Sequence, residues 1–291
     1  MPAPRRPRRK SRFFRRRRGG AAGFMALPAL LFLLTFIFAP LVYTIVLSFM
    51  HWNLISPTRT FVGLKNYKNL GDTPDFVQSI LTTAVYSGIF LAIVVPGGLL
   101  LAKAVDTKRP GMRFARSILF MPYVIPLVGS AIAWQWVLNP DHGVIAHLFT
   151  VFSGRAPDLL SGRWTSVLAI EIVFIWQYIG FYMLIFLSGI QSLDSSLAEA
   201  ASVDGAASHR IFWSIELPQM RPVILFAFVF AIVQSFQLFD QIFVLTSGGP
   251  GTATYSLVYF IYIQAFKFFN IGSAAAASAV LMAILSILTW G

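Results

Sequence analysis

The residues best suited to chemistry in this chain fall in two places. The first is the stretch from Gln191 to Pro222, "QSLDSSLAEAASVDGAASHRIFWSIELPQMRP", which is too polar to cross a bilayer. It opens on Asp194, Ser195 and Ser196, side chains that cap helix starts by accepting from free backbone N–H groups. A short helix is expected from about Leu197 to Asp204. Gly205 follows, as a turn or a point of close approach. A second helical stretch should reach Leu217 and stop at Pro218. Ala198, Ala200, Ala201, Ala206 and Ala207 keep the surface low, so another protein could approach closely. An amphipathic surface loop is the plainer reading of the same residues. The second place lies inside two apolar runs. Trp176, Gln177, Tyr178, Phe181 and Tyr182 form an aromatic and polar cluster on one, and Gln234, Gln237 and Gln241 follow helical spacing on the other, beside Ser235 and Asp240. Amides are costly against lipid, so these face a partner helix or a pathway. Rings that stack on apolar sugar faces, with amides for hydroxyls, suit a pocket containing a few placed polar groups.

The rest of the chain offers no other reactive set. There is no cysteine, which excludes disulfides and thiol nucleophiles. His51, His142, His147 and His209 are scattered and make no metal pattern. No nucleophile–base–acid set is present, so a membrane-embedded enzyme is disfavoured. No G-x-x-x-x-G-K-[ST] loop occurs to cradle ATP phosphates, so any ATP-derived energy must come from another polypeptide. Of the charged residues in apolar runs, Glu171 and Asp240 stand out. Each is expected near the outer interface or against a neighbouring helix, unless it faces the bundle interior.

The elements that must position these residues are membrane helices. Charged residues make up only 12% of the 291 residues, against 57% hydrophobic, with 28 Phe and a mean hydropathy of +0.71. A soluble domain carries about 25% charged residues. Six runs approach the roughly 20 residues a span requires: Phe24–Met50, Phe76–Ala102, Ser117–Leu138, Thr165–Leu187, Val223–Leu245 and Gly272–Trp290. Pro40, Pro96, Pro122 and Pro126 interrupt several of them, which is tolerated where neighbours re-satisfy the freed carbonyls. The first run is too long for a signal-peptide core and lacks a small-x-small cleavage site, so it is expected to remain as a helix. The prediction is an all-α polytopic membrane protein. Residues 1–23 form a basic disordered tail, and 24–291 a transmembrane domain containing the loop 191–222.

The net charge of +12 could suggest nucleic acid, but its placement argues for membrane topology and anionic headgroups instead. Ten of the 23 Lys and Arg precede Phe24. Five more lie between the second and third runs (Lys103, Lys108, Arg109, Arg113, Arg116), and two between the fourth and fifth (Arg210, Arg221). The opposite side holds Arg59, Lys65, Lys68, Arg155, Arg163 and Lys267. Cytoplasmic loops carry the Lys/Arg excess, so both termini are expected in the cytoplasm. The chain runs out after the sixth run without a basic stop, so a C-terminal tail is expected to be absent or very short. "TSGGPGTAT" and then the aromatic-rich "YSLVYFIYIQAFKFF" follow the fifth run. The latter is long enough for a helix lying in the interface or packed on the bundle.

Glu199-Ala200-Ala201, then Gly205 after three residues, Ile215 after nine more, and Leu217-Pro218, resembles the EAA motif of ABC-importer permeases. "FMPYVIPLVGSAIAWQWVLNPDHGV" from Phe120, the segment from Thr246 to Thr254, "YFIYIQAF" and "GSAAAASAV" are similar to the carbohydrate-uptake subfamily. The match is nearest the first permease of maltose- and glycerol-3-phosphate-type systems. It covers about Phe61 to Trp290, without the arginine-rich tail. The resemblance implies a six-helix, MetI-like permease fold in the bacterial inner membrane and an importer for an oligosaccharide, monosaccharide or glycerophosphate. It implies that Glu199, Ala200, Ala201, Gly205, Ile215, Leu217 and Pro218 belong to a coupling helix seated on an ATPase. Substrate contacts of the relatives fall, by counting from the motif, on Tyr178, Phe181, Ala231, Gln234 and Ser235, with Tyr182 and Gln237 beside them. Ala231 has no side-chain hydrogen bond to offer there. The implied partners are a second homologous permease, two ATPase subunits that use ATP and magnesium, an extracytoplasmic solute-binding protein, and membrane lipid. No nucleic acid is expected, and no cofactor on this chain. The same scaffold serves non-carbohydrate solutes. A self-sufficient secondary transporter is the rival reading, and it gives the polar loop no role.

Overall fold

In a computed structural model, the structure describes residues 18–290 except positions 54, 56–57, 108 and 155–156, with side chains from residue 25 onward apart from 153. Residues 1–17 of the basic tail, and the charges counted at Lys108 and Arg155, lie outside the described residues.

The described residues are mostly helical. The first span begins at Arg18, six residues inside the segment expected as tail. It runs through α1 (Arg18–Leu33), a π-helical turn (Leu34–Phe38) and α2 (Ala39–Ser48). A two-residue hairpin, β1 (Met50–His51) against β2 (Thr60–Phe61), leads to α3 (Lys65–Gly71). The second span is α4 (Pro74–Val105) and the fourth is α8 (Arg163–Gln191). Between them lie α5 (Met112–Val124), α6 (Leu127–Val137) and α7 (Val144–Ser153). The polar loop forms α9 (Ser195–Val203), α10 (Ser208–Ile211), a π-helical turn (Phe212–Glu216) and α11 (Leu217–Gln219). Then come α12 (Arg221–Phe236), α13 (Asp240–Leu245), α14 (Leu257–Tyr262), which continues as a π-helical turn to Lys267, and α15 (Ile271–Trp290).

Five helices among the described residues are long and apolar enough to cross a membrane, and α5 with α6 makes a sixth candidate bent by 99°. The expected third span is therefore broken. Pro126 has no N–H, and a residue before proline is driven out of the helical region. Ile125 accordingly sits at φ −72°, ψ 134°. The fifth span is interrupted as well, between Phe236 and Asp240. By contrast Pro218 does not stop its helix. It occupies the first turn of α11, where its missing N–H costs nothing, and the wide π-turn before it admits the ring.

Helices approach closely where side chains are small, because lipid supplies no hydrophobic drive between them. On α4, a Cβ on Gly98 would meet the Cβ of Tyr182 at 2.9 Å. On α8, Gly180 lies against the Leu119–Phe120 backbone of α5. Gly272, Ala274, Ala275, Ala276 and Ala277 form the buried face of α15. The core is aromatic, with Tyr86, Phe90, Phe174, Tyr182 and Phe186 fully buried between α4 and α8. The aromatic-rich stretch after the fifth span packs on the bundle through buried Leu257 and Phe260. The first span is the exception, exposing Phe32, Phe36, Phe38 and Val42.

A Cβ at Gly180 cannot be accommodated unless α5 moves away. Gly180→Ala should therefore cost about 1–3 kcal/mol, lowering the thermal unfolding midpoint of the detergent-solubilised protein. Gly88→Ala, where a Cβ meets open space, should leave that midpoint unchanged.

Candidate coupling loop and pathway wall

The first helix of the polar loop, α9, is closed at both ends. The Asp194 side chain accepts from the Ser196 backbone N–H at 3.0 Å. That bond, followed by the Ser196 hydroxyl, holds the Asp194 carboxyl below the ordinary carboxylate range. A group with a depressed folded value keeps its contribution above the ordinary range and loses it only as pH falls through the folded value, so the cap is intact at neutral pH. At the other end Gly205 adopts φ +82°. Its N–H donates to the Ser202 carbonyl at 3.1 Å, and the Ala206 N–H to the Ala201 carbonyl at 2.9 Å. These are the two bonds of a Schellman cap, in which the left-handed position favours glycine. Among the described residues nothing lies near a Cβ built on Gly205, so the conformational requirement is the turn.

The surface of this helix is bare. Glu199, Ala200 and Gly205 are exposed. Leu197, Val203 and Trp213 are exposed apolar residues, Val203 at 88%. Ile215, Leu217 and Pro218 are half-buried and form the base on which α9 stands. That base is tied to the bundle by an ion pair that sequence reasoning missed. Lys103 Nζ on α4 lies 2.6 Å from Glu216 Oε2, with the side chains 40% and 18% exposed. Lys103 also sits 5.2 Å from the centre of the Phe212 ring. No local signal could have paired residues so far apart in sequence.

The membrane candidates separate into a partly exposed layer and a buried layer. Gln234 Nε2 donates to the Tyr178 hydroxyl at 2.7 Å. Phe181 is half-buried and stacks on Tyr123, with ring centroids 4.4 Å apart and planes at 15°. Gln237 is exposed. Behind these, Tyr178, Tyr182, Ala231 and Ser235 are buried. Ser235 Oγ meets Ser87 Oγ at 2.9 Å, joining α12 to α4. Ala231 packs in the core, and the Tyr182 hydroxyl is buried without a hydrogen-bond partner among the described residues. Tyr123 was not singled out from the sequence. Its position between Pro122 and Pro126 was the available signal, because the break they create turns it toward α8.

Three expectations need correction. The three amides of the fifth span do not share one face, because the helix ends between Gln234 and Gln241. The Gln237 N–H donates to the Gln234 carbonyl and the Leu238 N–H to that of Ser235, closing α12. Gln241 is buried on α13, its Nε2 unpaired among the described residues. Gln177 likewise does not belong to the pathway layer. Its Nε2 donates to the carbonyls of Pro122 and Ile125, and its Oε1 accepts from Ser130 Oγ. It satisfies the backbone freed by the helix break. Glu171 does not lie at an interface: it is 1% exposed, in the interior, and neither carboxyl oxygen has a partner among the described residues. Asp240 is half-buried at the start of α13.

Replacing Gln177 by Leu would leave the Ile125 carbonyl without its partner, at about 1–3 kcal/mol for a buried unpaired group, and would strip one of two bonds each from the Pro122 carbonyl and the Ser130 hydroxyl. The variant should unfold at lower temperature in detergent, while any molecules that remain folded should keep wild-type solute preference. Altered preference with unchanged stability would return Gln177 to the pathway.

A family model described as the binding-protein-dependent transport system inner membrane component matches residues 94–290. The chain is 33% identical over 267 residues to an sn-glycerol-3-phosphate transport system permease protein of Brucella abortus, covering 91% of each. It is 32% identical over 266 residues to a multiple sugar-binding transport system permease protein of Streptococcus mutans, again covering 91% of each. A solved structure of a bacterial alginate ABC transporter, in complex with an alginate pentasaccharide-bound periplasmic protein, superposes with a TM-score of 0.83 at 22% identity, covering 94% of this chain and 92% of that one.

Proposed function

This chain belongs to the binding-protein-dependent transport system inner membrane component family, and from that membership we propose that it forms half of the solute pathway of an ATP-driven importer and carries one docking site for a separate ATPase. The observation that carries the proposal is the loop from Asp194 to Met220. Its first helix, α9, is capped at both ends, it exposes Leu197, Val203 and Trp213, and it is tied to α4 by Lys103–Glu216. A passive linker needs none of these features.

The solute class is a sugar or sugar-like molecule. Support comes from the names of the similar permeases and from the wall itself, where stacked Tyr123 and Phe181 offer apolar faces and Gln234 offers hydroxyl-binding groups. Phe181, Gln234 and Gln237 contact solute in this reading, and Tyr178 orients the Gln234 amide. The remaining partners are a second homologous permease that completes the pathway, a second ATPase and an extracytoplasmic binding protein that delivers the solute. The exposed first span supplies apolar surface for lipid and for the second permease. Lys and Arg are concentrated on the side of the coupling loop, which supports a cytoplasmic position for that side and for both termini in a bacterial inner membrane.

The mechanism follows from rigid elements. ATP binding, with magnesium, closes the ATPase dimer and moves the coupling helices together. The motion passes into α4 through the ion pair and into α8 through the short turn before α9. The pathway opens outward to the loaded binding protein, and hydrolysis resets it.

Gly205→Asp tests the docking role. Aspartate tolerates the left-handed conformation better than most residues, so the cap survives while a charge enters the docking surface. Membrane abundance should remain at the wild-type level while ATPase co-purification and solute uptake are lost. An unpaired charge buried on docking costs several kcal/mol, against about 1–3 kcal/mol for a typical coupling energy. Wild-type uptake by this variant would sink the assignment. The pathway wall is tested separately by Gln234→Leu. It should raise the solute concentration for half-maximal uptake about tenfold, as expected for one lost hydrogen bond to solute of about 1.4 kcal/mol. Complex assembly should be unaffected, and unchanged uptake kinetics would remove Gln234 from the wall.

A further inference from the structure

Beside the coupling loop the structure has a basic feature that the proposed transport cycle does not use. A cavity of about 550 Å³ opens where the ends of α4 and α8 meet the start of α5, lined by Arg109, Arg113 and Arg116 with Asp106 and Gln191. Arg116 is fixed in place, donating from Nε and Nη2 to the Val105 carbonyl at 3.2 and 2.7 Å. Arg109 and Arg113 are exposed and have no ion-pair partner among the described residues. Asp106, the carboxylate in the lining, accepts from Gln191 Nε2 at 3.2 Å.

The arginines stand where the helix itself disfavours a cation. α5 starts from Gly111 at φ +86°, with no side-chain cap and no acidic residue in its first turn. The partial positive charge of a helix N-terminus repels cations and attracts anions. Arg113 and Arg116 therefore add to a field that an anion would relieve. A guanidinium is well matched to a phosphate oxygen pair.

The adjoining surface selects among anions. From the cavity, α5 exposes Phe114, Ile118, Met121 and Val124, spaced so that they share one helical face. At 1.5 Å per residue this stripe runs about 15 Å along the helix. A soluble phosphate would use the cavity alone. A molecule with a phosphate head and an acyl tail would use both the cavity and the stripe. We propose that the cavity and the α5 stripe form a binding site for an anionic phospholipid, with the phosphodiester held by Arg109, Arg113 and Arg116. The proposal rests on the reading above that α4, α5 and α8 span the membrane with this end at the cytoplasmic surface. Basic pockets between helix ends on that surface are suited to anionic headgroups.

The test is native mass spectrometry of the assembled importer released from nanodiscs of mixed phosphatidylglycerol and phosphatidylcholine. The wild type should retain phosphatidylglycerol selectively. Each arginine removed should weaken retention about fivefold, from roughly 1 kcal/mol per basic residue near a membrane surface. Arg109→Ala with Arg113→Ala should therefore abolish the selectivity. Phe114→Gln with Ile118→Gln should also reduce retention, because the acyl chain loses its track. Arg221→Ala, an exposed cation on the same face outside the cavity, should change nothing. Unchanged phosphatidylglycerol retention in the arginine double variant would overturn the proposal. So would equal loss in Arg221→Ala, which would indicate diffuse charge. If inorganic phosphate displaces the lipid while the stripe variant retains it normally, the cavity belongs to a soluble anion. Loss of the ATPase subunits with lipid still bound would assign it to subunit docking instead. Lipid retention is read by mass and not by uptake, so failure of the coupling-loop reading would leave this result standing.

Discussion

A backbone carbonyl released inside hydrocarbon has no water to turn to, so every break in a membrane helix must be answered by another protein group. In this chain the decisive case is the bend between α5 and α6. Pro126 forces Ile125 out of the helix, so the Ile125 carbonyl is left over and the Pro122 carbonyl keeps only the bend's own bond from the Ile125 N–H. One side chain from α8, Gln177, takes up both and also pairs with Ser130 at the start of α6. The bonds reach only because α5 and α8 nearly touch, and Gly180, one turn further along, permits that contact. A single amide and a single missing Cβ thus hold the break at a defined place on α8.

The break in turn shapes the wall. Once α5 ends at Val124, Tyr123 stands at the bend instead of in mid-helix, and its ring lies flat against Phe181. Tyr178 is one residue beyond Gln177 and faces α12, where it fixes the Gln234 amide. The end of α12 leaves Gln237 exposed at the next break. The polar and aromatic groups of the proposed wall are concentrated where regular helix is interrupted, and the interruptions are stabilised from behind by buried residues such as Gln177.

How much of this was legible in the sequence depended on whether the controlling interaction was local. Apolar length gave five of the six spans, because the need to cover the hydrocarbon acts on each segment separately. The loop was legible for the same reason. Asp194 and Gly205 are caps whose partners lie within five residues. The extension of helix back to Arg18 was missed, since an arginine-rich stretch with two glycines carries no apolar periodicity to mark a start. The three-amide face was misread because helical spacing was carried across a break that tertiary contacts create. Gln177 was placed in the wrong layer for a related reason. Its type suggests solute chemistry, and only the position of the α5 carbonyls shows that it is already occupied. Lys103–Glu216 was invisible because its partners come from different spans.

The same rigidity bears on how a loop at one face can govern a wall deep in the membrane. Phe181 lies ten residues from Gln191, the last residue of α8, which is about 15 Å of uninterrupted helix. α4 runs alongside, locked to α8 where Gly98 meets Tyr182, and its Lys103 is paired to the loop base at Glu216. The loop is therefore attached to the wall by two parallel struts that are themselves packed together. Closely packed interiors switch between discrete arrangements instead of deforming continuously. A displacement of α9 is not absorbed within that helix, whose two ends are capped, nor within α8, which is unbroken from the wall to the loop. The compliant points are the breaks at 125–126 and 237–239, and both border the wall. Motion imposed at the loop is thus delivered to the places where the residues proposed to face solute stand.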